Sequence, residues 1–162
     1  MALQLDRRDI QILQILSSEG RISKAELAQR VALSASPCWE RLKRLEKAGL
    51  IRGYRAEIDL ASAAPQVTVF VVLELDAHRA ESFRIFEAAV ANYDEITGCW
   101  AIGGGVDYLM QVVTSDINSY QRLIDTLLEQ RIGLSRYFTY IVTKDVKSAP
   151  LPIGRLLGGQ TD

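Results

Sequence analysis

The stretch Leu33-Ser-Ala-Ser-Pro-Cys-Trp-Glu-Arg-Leu-Lys-Arg-Leu-Glu-Lys-Ala-Gly-Leu-Ile51 constrains the fold more than any other part of this chain. Ser34 or Ser36 can cap a helix, and Pro37 is tolerated in its first turn, where a backbone N–H would lack a partner anyway. Cys38, Leu42 and Leu45 recur at four and three residues, so they share one face, which must look inward. Gly49 suits the left-handed position that closes a helix. From Arg41 to Arg55 the chain carries six basic residues, Arg41, Lys43, Arg44, Lys47, Arg52 and Arg55, against the single acid Glu46. The segment therefore predicts a helix with one apolar face and a cationic remainder, with Arg41, Lys43, Arg44 and Lys47 directed away from Leu42 and Leu45.

The preceding residues predict two more helices. Asp6 caps the first, Asp9 sits at its third position, and Ile10, Ile12, Leu13, Ile15 and Leu16 spread over a face wide enough for more than one neighbour. Gly20 ends it. Ser23-Lys-Ala-Glu26 has the spacing of a capping box and opens a second helix carrying Leu27, Ala28 and Val31. Leu50 to Ile58 alternates like a short strand pair bent at Gly53. Two helices, a tight turn, a basic third helix and a following hairpin form the grammar of a winged helix-turn-helix. Its cations suit phosphates. Ser34, Ser36, Trp39, Glu40 and Lys43, near the start of the basic helix, are the positions from which base edges can be reached. Two of them have a plainer alternative: Trp39 packing on the first helix or on a partner subunit, and Glu40 pairing with Arg44 four residues on. The case for DNA rests on charge, helix organisation, turn and wing occurring together.

Charge divides the 162 residues in two. Residues 1–58 hold 11 Lys and Arg against 7 Asp and Glu, and the rest hold 8 against 13, although the net charge is only −1. A basic first third beside an acidic remainder predicts two domains with different partners. No apolar run approaches the roughly 20 residues that span a bilayer, and Met-Ala-Leu-Gln-Leu-Asp lacks the look of a secretory signal. Cys38 and Cys99 lie far apart and outside metal-ligand spacing, as in reduced, buried residues of a cytosolic protein. No cofactor, metal site or membrane contact is expected.

Residues 59–66 read as a linker and 67–146 as a second domain. Val67 to Leu75 is a buried strand, Arg79 to Ala91 a helix with Phe83, Phe86 and Val90 at helical spacing, and Glu95 to Ile102 a strand. Asp107 to Thr114 is a third strand. Ser115 or Asp116 caps a helix striped by Ile117, Tyr120, Ile124, Leu127 and Leu128, and Leu134 to Thr143 is the last strand. The order βαββαβ is the split ferredoxin-like unit, with both helices on one sheet face. Its strands are apolar on both sides, so the second face is expected to meet another subunit. Gly103-Gly104-Gly105 followed by Asp107 could admit a zwitterionic amino acid, backbone N–H groups on one end and the carboxylate on the ammonium. Spacing alone favours a tight connection in which Asp107 caps backbone amides. His78 reads as a surface residue. Residues 147–162 form a tail whose apolar residues pack on the sheet or on a partner, or stay disordered.

The stretches Leu5-Asp-Arg-Arg-Asp-Ile-Gln-Ile-Leu13, Gly20-Arg-Ile-Ser23, Ser36 to Tyr54 and Gly104-Gly-Val-Asp-Tyr108 resemble the leucine-responsive regulatory protein and asparagine-regulator (Lrp/AsnC) family of transcription factors. The likeness covers nearly the whole chain. It implies an α+β protein with a winged helix-turn-helix at 1–58 and a ferredoxin-like sensor. It further implies homodimers that assemble to a higher oligomer such as an octamer, double-stranded DNA as partner, and an amino-acid-type effector. Gly104 and Asp107 match the effector loop, Tyr108 adjoins it, and Thr139 matches a pocket position less closely. The resemblance shifts the weight toward a ligand role for Asp107. Three departures stand out: Ala32 where relatives commonly carry glycine, Trp39 in place of a smaller apolar residue, and a loop unusually rich in glycine. Siroheme decarboxylases share a related fold, but one histidine and an acidic sensor half argue against that chemistry, and no enzymatic activity is expected.

Overall fold

The computed structural model describes residues 3–60 and 62–157. In chain order the elements are α1 (Arg7–Ser18), α2 (Lys24–Arg30), α3 (Ala35–Lys47), β1 (Val67–Leu75), α4 (Ala80–Val90), β2 (Ile96–Ala101), β3 (Tyr108–Thr114), α5 (Ile117–Glu129), β4 (Leu134–Ile141) and α6 (Ile153–Leu157). They form two compact units, one running to Ile58 and resuming at Lys147, the other Asp59–Val146.

In the first unit the helices begin where the sequence places their caps. The Asp6 carboxylate accepts from the N–H groups of Arg8 and Asp9 at 2.8 and 3.0 Å, and the Asp6 N–H donates to Asp9 at 3.0 Å. Burial alone would raise the Asp6 pKa, but these N–H donors and Arg41 together hold it below the usual carboxylate value. Ser23 accepts from Glu26 N–H at 3.2 Å. Ser34 is the N-cap of α3. At the far end of α3, Gly49 takes a φ of 73°. Its N–H donates to Glu46 O at 2.9 Å and Leu50 N–H to Leu45 O at 3.1 Å, both bonds of a Schellman closure. The same closure ends α2, with Ala32 N–H on Gln29 O at 3.1 Å and Leu33 N–H on Ala28 O at 3.0 Å. There the left-handed residue is Ala32, at φ 52°. The turn keeps its shape without glycine and carries the steric cost of a Cβ in that region.

Ile12, Leu13, Leu27, Val31, Cys38, Leu42 and Leu45 form the shared core. Beside it lies a buried charge. Asp9 is 0% exposed. Arg41 Nη1 reaches Asp9 Oδ1 at 2.9 Å and Asp6 Oδ2 at 2.6 Å, and Arg44 Nη2 reaches Asp9 Oδ2 at 2.5 Å. This clasp ties the start of α1 to the middle of α3.

Two expectations are corrected. Residues 51–60 form no strand. A single ribbon of two short strands is marginal without further packing. Instead Ile51 packs on the core, Tyr54 donates to Glu46 Oε1 at 2.9 Å, and the chain runs beside an open groove of about 1030 Å³. The described end of the tail is neither loose nor without structure. Ile153 and Leu157 of α6 join the helical core beside α1; residues 158–162 lie outside the described part.

The second unit is one antiparallel sheet of order β2-β3-β1-β4. Val69, Val71, Leu73 and Leu75 of β1 and Tyr108, Met110 and Val112 of β3 face Phe86 and Val90 of α4 and Tyr120, Leu123, Ile124 and Leu127 of α5. Leu123 takes the inward place expected of Ile117 and Leu128, which are exposed. By register, Phe70, Val72, Leu109, Trp100, Phe138 and Tyr140 lie on the opposite face. Trp100, Phe138 and Tyr140 are 48%, 42% and 57% exposed. The Trp100 ring lies so close over Gly98 that a Cβ there would sit 2.4 Å from it. A register shift between Ile96 and Gly98 puts both Ile96 and Cys99 on the helix-covered face, which strict alternation forbids.

Two outcomes follow for stability. Ala32→Gly removes roughly 1–2 kcal/mol of left-handed strain and gives back about 0.4–1 kcal/mol through the freer unfolded chain. The urea midpoint should therefore rise. Asp9→Asn should lower stability by about 2–3 kcal/mol, below the full cost of breaking a buried pair because Arg44 can turn to water. Chemical denaturation of the full chain measures both.

Candidate nucleic-acid interface and effector pocket

The clasp sorts the basic residues of α3. Arg41 lies four residues before Leu45 and three after Cys38, so its stem follows the buried flank, and its guanidinium turns to Asp6 and Asp9 rather than outward. Its side chain is 27% exposed. Arg44 also pairs with Asp9 and not with Glu40. Among the described residues Lys43 and Lys47 have no ion pair and are exposed, as are Ser34, Ser36 and Glu40. Arg52 and Arg55 are exposed on the segment beyond Gly49. Trp39 is half-buried against the helical core, and its cationic neighbours are Lys24 of α2, with Nζ 3.4 Å from the ring centroid, and Lys43 at 5.0 Å. Glu46, the lone acid of the run, is engaged by Tyr54. Burial and that carboxylate push the phenol up to about 12.

In the second unit Gly103, Gly104 and Gly105 are exposed between β2 and β3, and Gly104 takes a φ of 134°. Asp107 anchors the connection. Its N–H donates to Leu73 O at 2.9 Å, its C=O accepts from Ile102 N–H at 2.9 Å, and its Oδ2 accepts from Leu75 N–H at 2.8 Å. The amide-capping role is therefore present. The other oxygen, Oδ1, lies 3.0 Å from His78 Nε2. The exposed histidine is thus a partner of Asp107, a pairing without a local signal because β1 and β3 bring the two together across the sheet.

Tyr108 is buried, and its hydroxyl donates to Glu87 Oε1 at 2.7 Å; burial first, then that carboxylate, raises its pKa. Thr139 is not brought to the glycine loop. It sits on β4, two strands from β3, with its hydroxyl 2.5 Å from that of Tyr120. Glu87, Val90, Ile96, Cys99, Ala101 and Tyr108 line a cavity of about 310 Å³, which takes in Ile96 and Cys99 on either side of the register shift in β2. Burial and Glu87 push the Cys99 thiol up to about 11, so it stays protonated at neutral pH. Cys38 and Cys99 are both free. Among the described residues no group of three His, Cys, Asp or Glu side chains could hold a metal ion, and no helix is long and apolar enough to cross a membrane.

Residues 5–52 match the winged helix-turn-helix DNA-binding family and residues 68–152 the Lrp/AsnC ligand binding domain. The chain is 54% identical over 145 residues to the transcriptional regulatory protein DoeX of Halomonas elongata, covering 90% of this chain and 92% of that one. It is 38% identical to the leucine-responsive regulatory protein of Salmonella typhimurium, over 90% of this chain and 88% of that one. A transcriptional regulator from Neisseria meningitidis, solved in complex with L-methionine, superimposes with a TM-score of 0.86 at 35% identity, covering 95% of this chain and all (100%) of its own. An AsnC family transcriptional regulator from Agrobacterium tumefaciens also gives 0.86, at 31% identity, over 94% of this chain and 100% of its own. With a helix-turn-helix whose third helix is cationic, a βαββαβ ligand-binding unit and likeness along nine-tenths of its length, the chain belongs to the Lrp/AsnC family of transcriptional regulators.

Proposed function

We propose that this regulator contacts double-stranded DNA through the exposed side of α3 and the segment after it, and adjusts that binding to an amino-acid-type effector. The observation that carries the DNA surface is the division of the basic residues. Arg41 and Arg44 are held in ion pairs by Asp9, while Lys43, Lys47, Arg52 and Arg55 are exposed on one continuous run of chain and, among the described residues, make no ion pair. Ser34, Ser36 and Glu40 are the accessible polar positions for base edges, and Arg41 and Arg44 serve mainly to hold α3.

Gly103 to Gly105 and Asp107 form the effector end of the sensor unit. Open backbone at the glycines suits a carboxylate, and the Asp107–His78 pair suits an ammonium. Tyr108 lines the cavity. Thr139 contributes only where a second protomer brings it near. The L-methionine held by the Neisseria relative makes an amino acid the leading ligand class. The aromatic sheet face of Phe70, Trp100, Phe138 and Tyr140 pairs with the same face of a second copy, giving a homodimer that assembles further, to an octamer for instance. Such an assembly acts in the cytoplasm, where DNA and metabolite meet. Coupling of about 1–3 kcal/mol between effector and DNA sites is enough to change affinity roughly 5- to 150-fold.

Two measurements test this reading. Lys43→Ala with Lys47→Ala should lower the slope of log affinity against log salt for duplex DNA by about 1.8, at about 0.9 per lost phosphate contact; an unchanged slope removes the surface. Asp107→Asn keeps an acceptor for Leu75 N–H while losing the charge. Calorimetry with L-methionine and L-leucine should then show at least about tenfold weaker binding, with DNA affinity in the absence of ligand unchanged.

A further inference from the structure

Lys24 lies outside the basic run of α3, yet the fold brings it there. Its Nζ stands 3.4 Å from the centroid of the Trp39 ring, and Lys43 Nζ stands 5.0 Å from the same centroid. The electron-rich face of an indole attracts ammonium groups and holds them in place. Trp39 is itself held, half-buried against the helical core between α2 and α3. Neither lysine has a carboxylate partner among the described residues, whereas Arg30, Arg41, Arg44, Arg84 and Arg136 each do.

The arrangement is poor as a stabilising device. Lys24 is the first residue of α2, where the helix dipole disfavours a cation. Two like charges gathered on one ring also repel. Both penalties fall when an anion sits between the ammoniums. We infer that Trp39 is a positioning residue that presents Lys24 and Lys43 as a two-ammonium clamp for a backbone phosphate of duplex DNA. This rests on the DNA reading above and adds to it a residue of α2 and a role for the tryptophan. A packed ring orders the lysines before DNA arrives, which lowers the entropy lost on contact. The clamp carries no sequence preference, because phosphates are alike along the duplex.

The test uses the full chain and a fluorescently labelled duplex of random sequence, with anisotropy titrations over a range of potassium chloride. Lys24→Ala should lower the slope of log affinity against log salt by about 0.9. Trp39→Leu, which keeps both lysines, should lower it by a similar amount, and Trp39→Phe should restore it. Arg84→Ala, which removes an equal charge from the other unit, should leave it at the wild-type value. Thermal melting by circular dichroism verifies that each variant is folded. A wild-type slope for Lys24→Ala overturns the clamp while leaving the α3 surface standing. A reduced slope for Lys24→Ala beside a wild-type slope for folded Trp39→Leu overturns the positioning role of the ring. A wild-type chain without salt-dependent affinity overturns the DNA surface and the clamp with it.

Discussion

The buried carboxylate of Asp9 governs the helical unit. A charge fully removed from water is costly unless it is paired and its lone pairs are filled. Asp9 meets that demand with the Asp6 N–H and two guanidinium groups from a helix more than thirty residues away in sequence. The requirement works in both directions. It anchors α3 on α1 at a defined height, and it engages two of the six basic residues of the 41–55 run in ion pairs, Arg41 half-buried and Arg44 still exposed. Outside the clasp stands a smaller set of cations, with its lysines on α3 and its arginines past the Gly49 turn.

The ligand-binding unit rests on a different constraint, the two-residue period of its strands. Alternation seats Val69, Val71 and Leu73 under the helices and leaves Phe70 and Val72 on the other side. One interruption has large consequences. The shifted register in β2 directs both Ile96 and Cys99 toward α4, where they line the cavity with Tyr108. The hydrogen bonds of Asp107 hold the start of β3 against β1 and leave the three glycines free above it. Rigid anchor and open loop are thus built from adjacent residues.

Much of this was legible before any coordinates. Helix starts at Asp6 and Ser23 and the closure at Gly49 depend on hydrogen bonds within a few residues, so side-chain chemistry and spacing suffice to find them; at the third helix, where the Ser34 side chain makes no cap bond, spacing left Ser34 and Ser36 both open. The strand–helix order of the second unit follows from hydrophobic period in the same way. The glycine loop and Asp107 could be singled out, and spacing favoured the amide capping that Asp107 makes to Leu75 N–H. The positive φ of Ala32 was open for the opposite reason: alanine does not advertise it, and only the hydrogen bonds at the end of α2 enforce it.

Composition and periodicity determined the two units, their fold classes, their helix ends and the cationic character of the 41–55 run, because all of these rest on short-range geometry. Three-dimensional packing decided the rest. It sent Arg41 inward, set Lys24 on Trp39, paired His78 with Asp107, kept residues 51–60 out of any strand and placed α6 on α1. Each of those outcomes depends on which distant surfaces meet. A charge or a ring settles on the partner that burial brings within reach, and that partner is not encoded in the spacing along the chain.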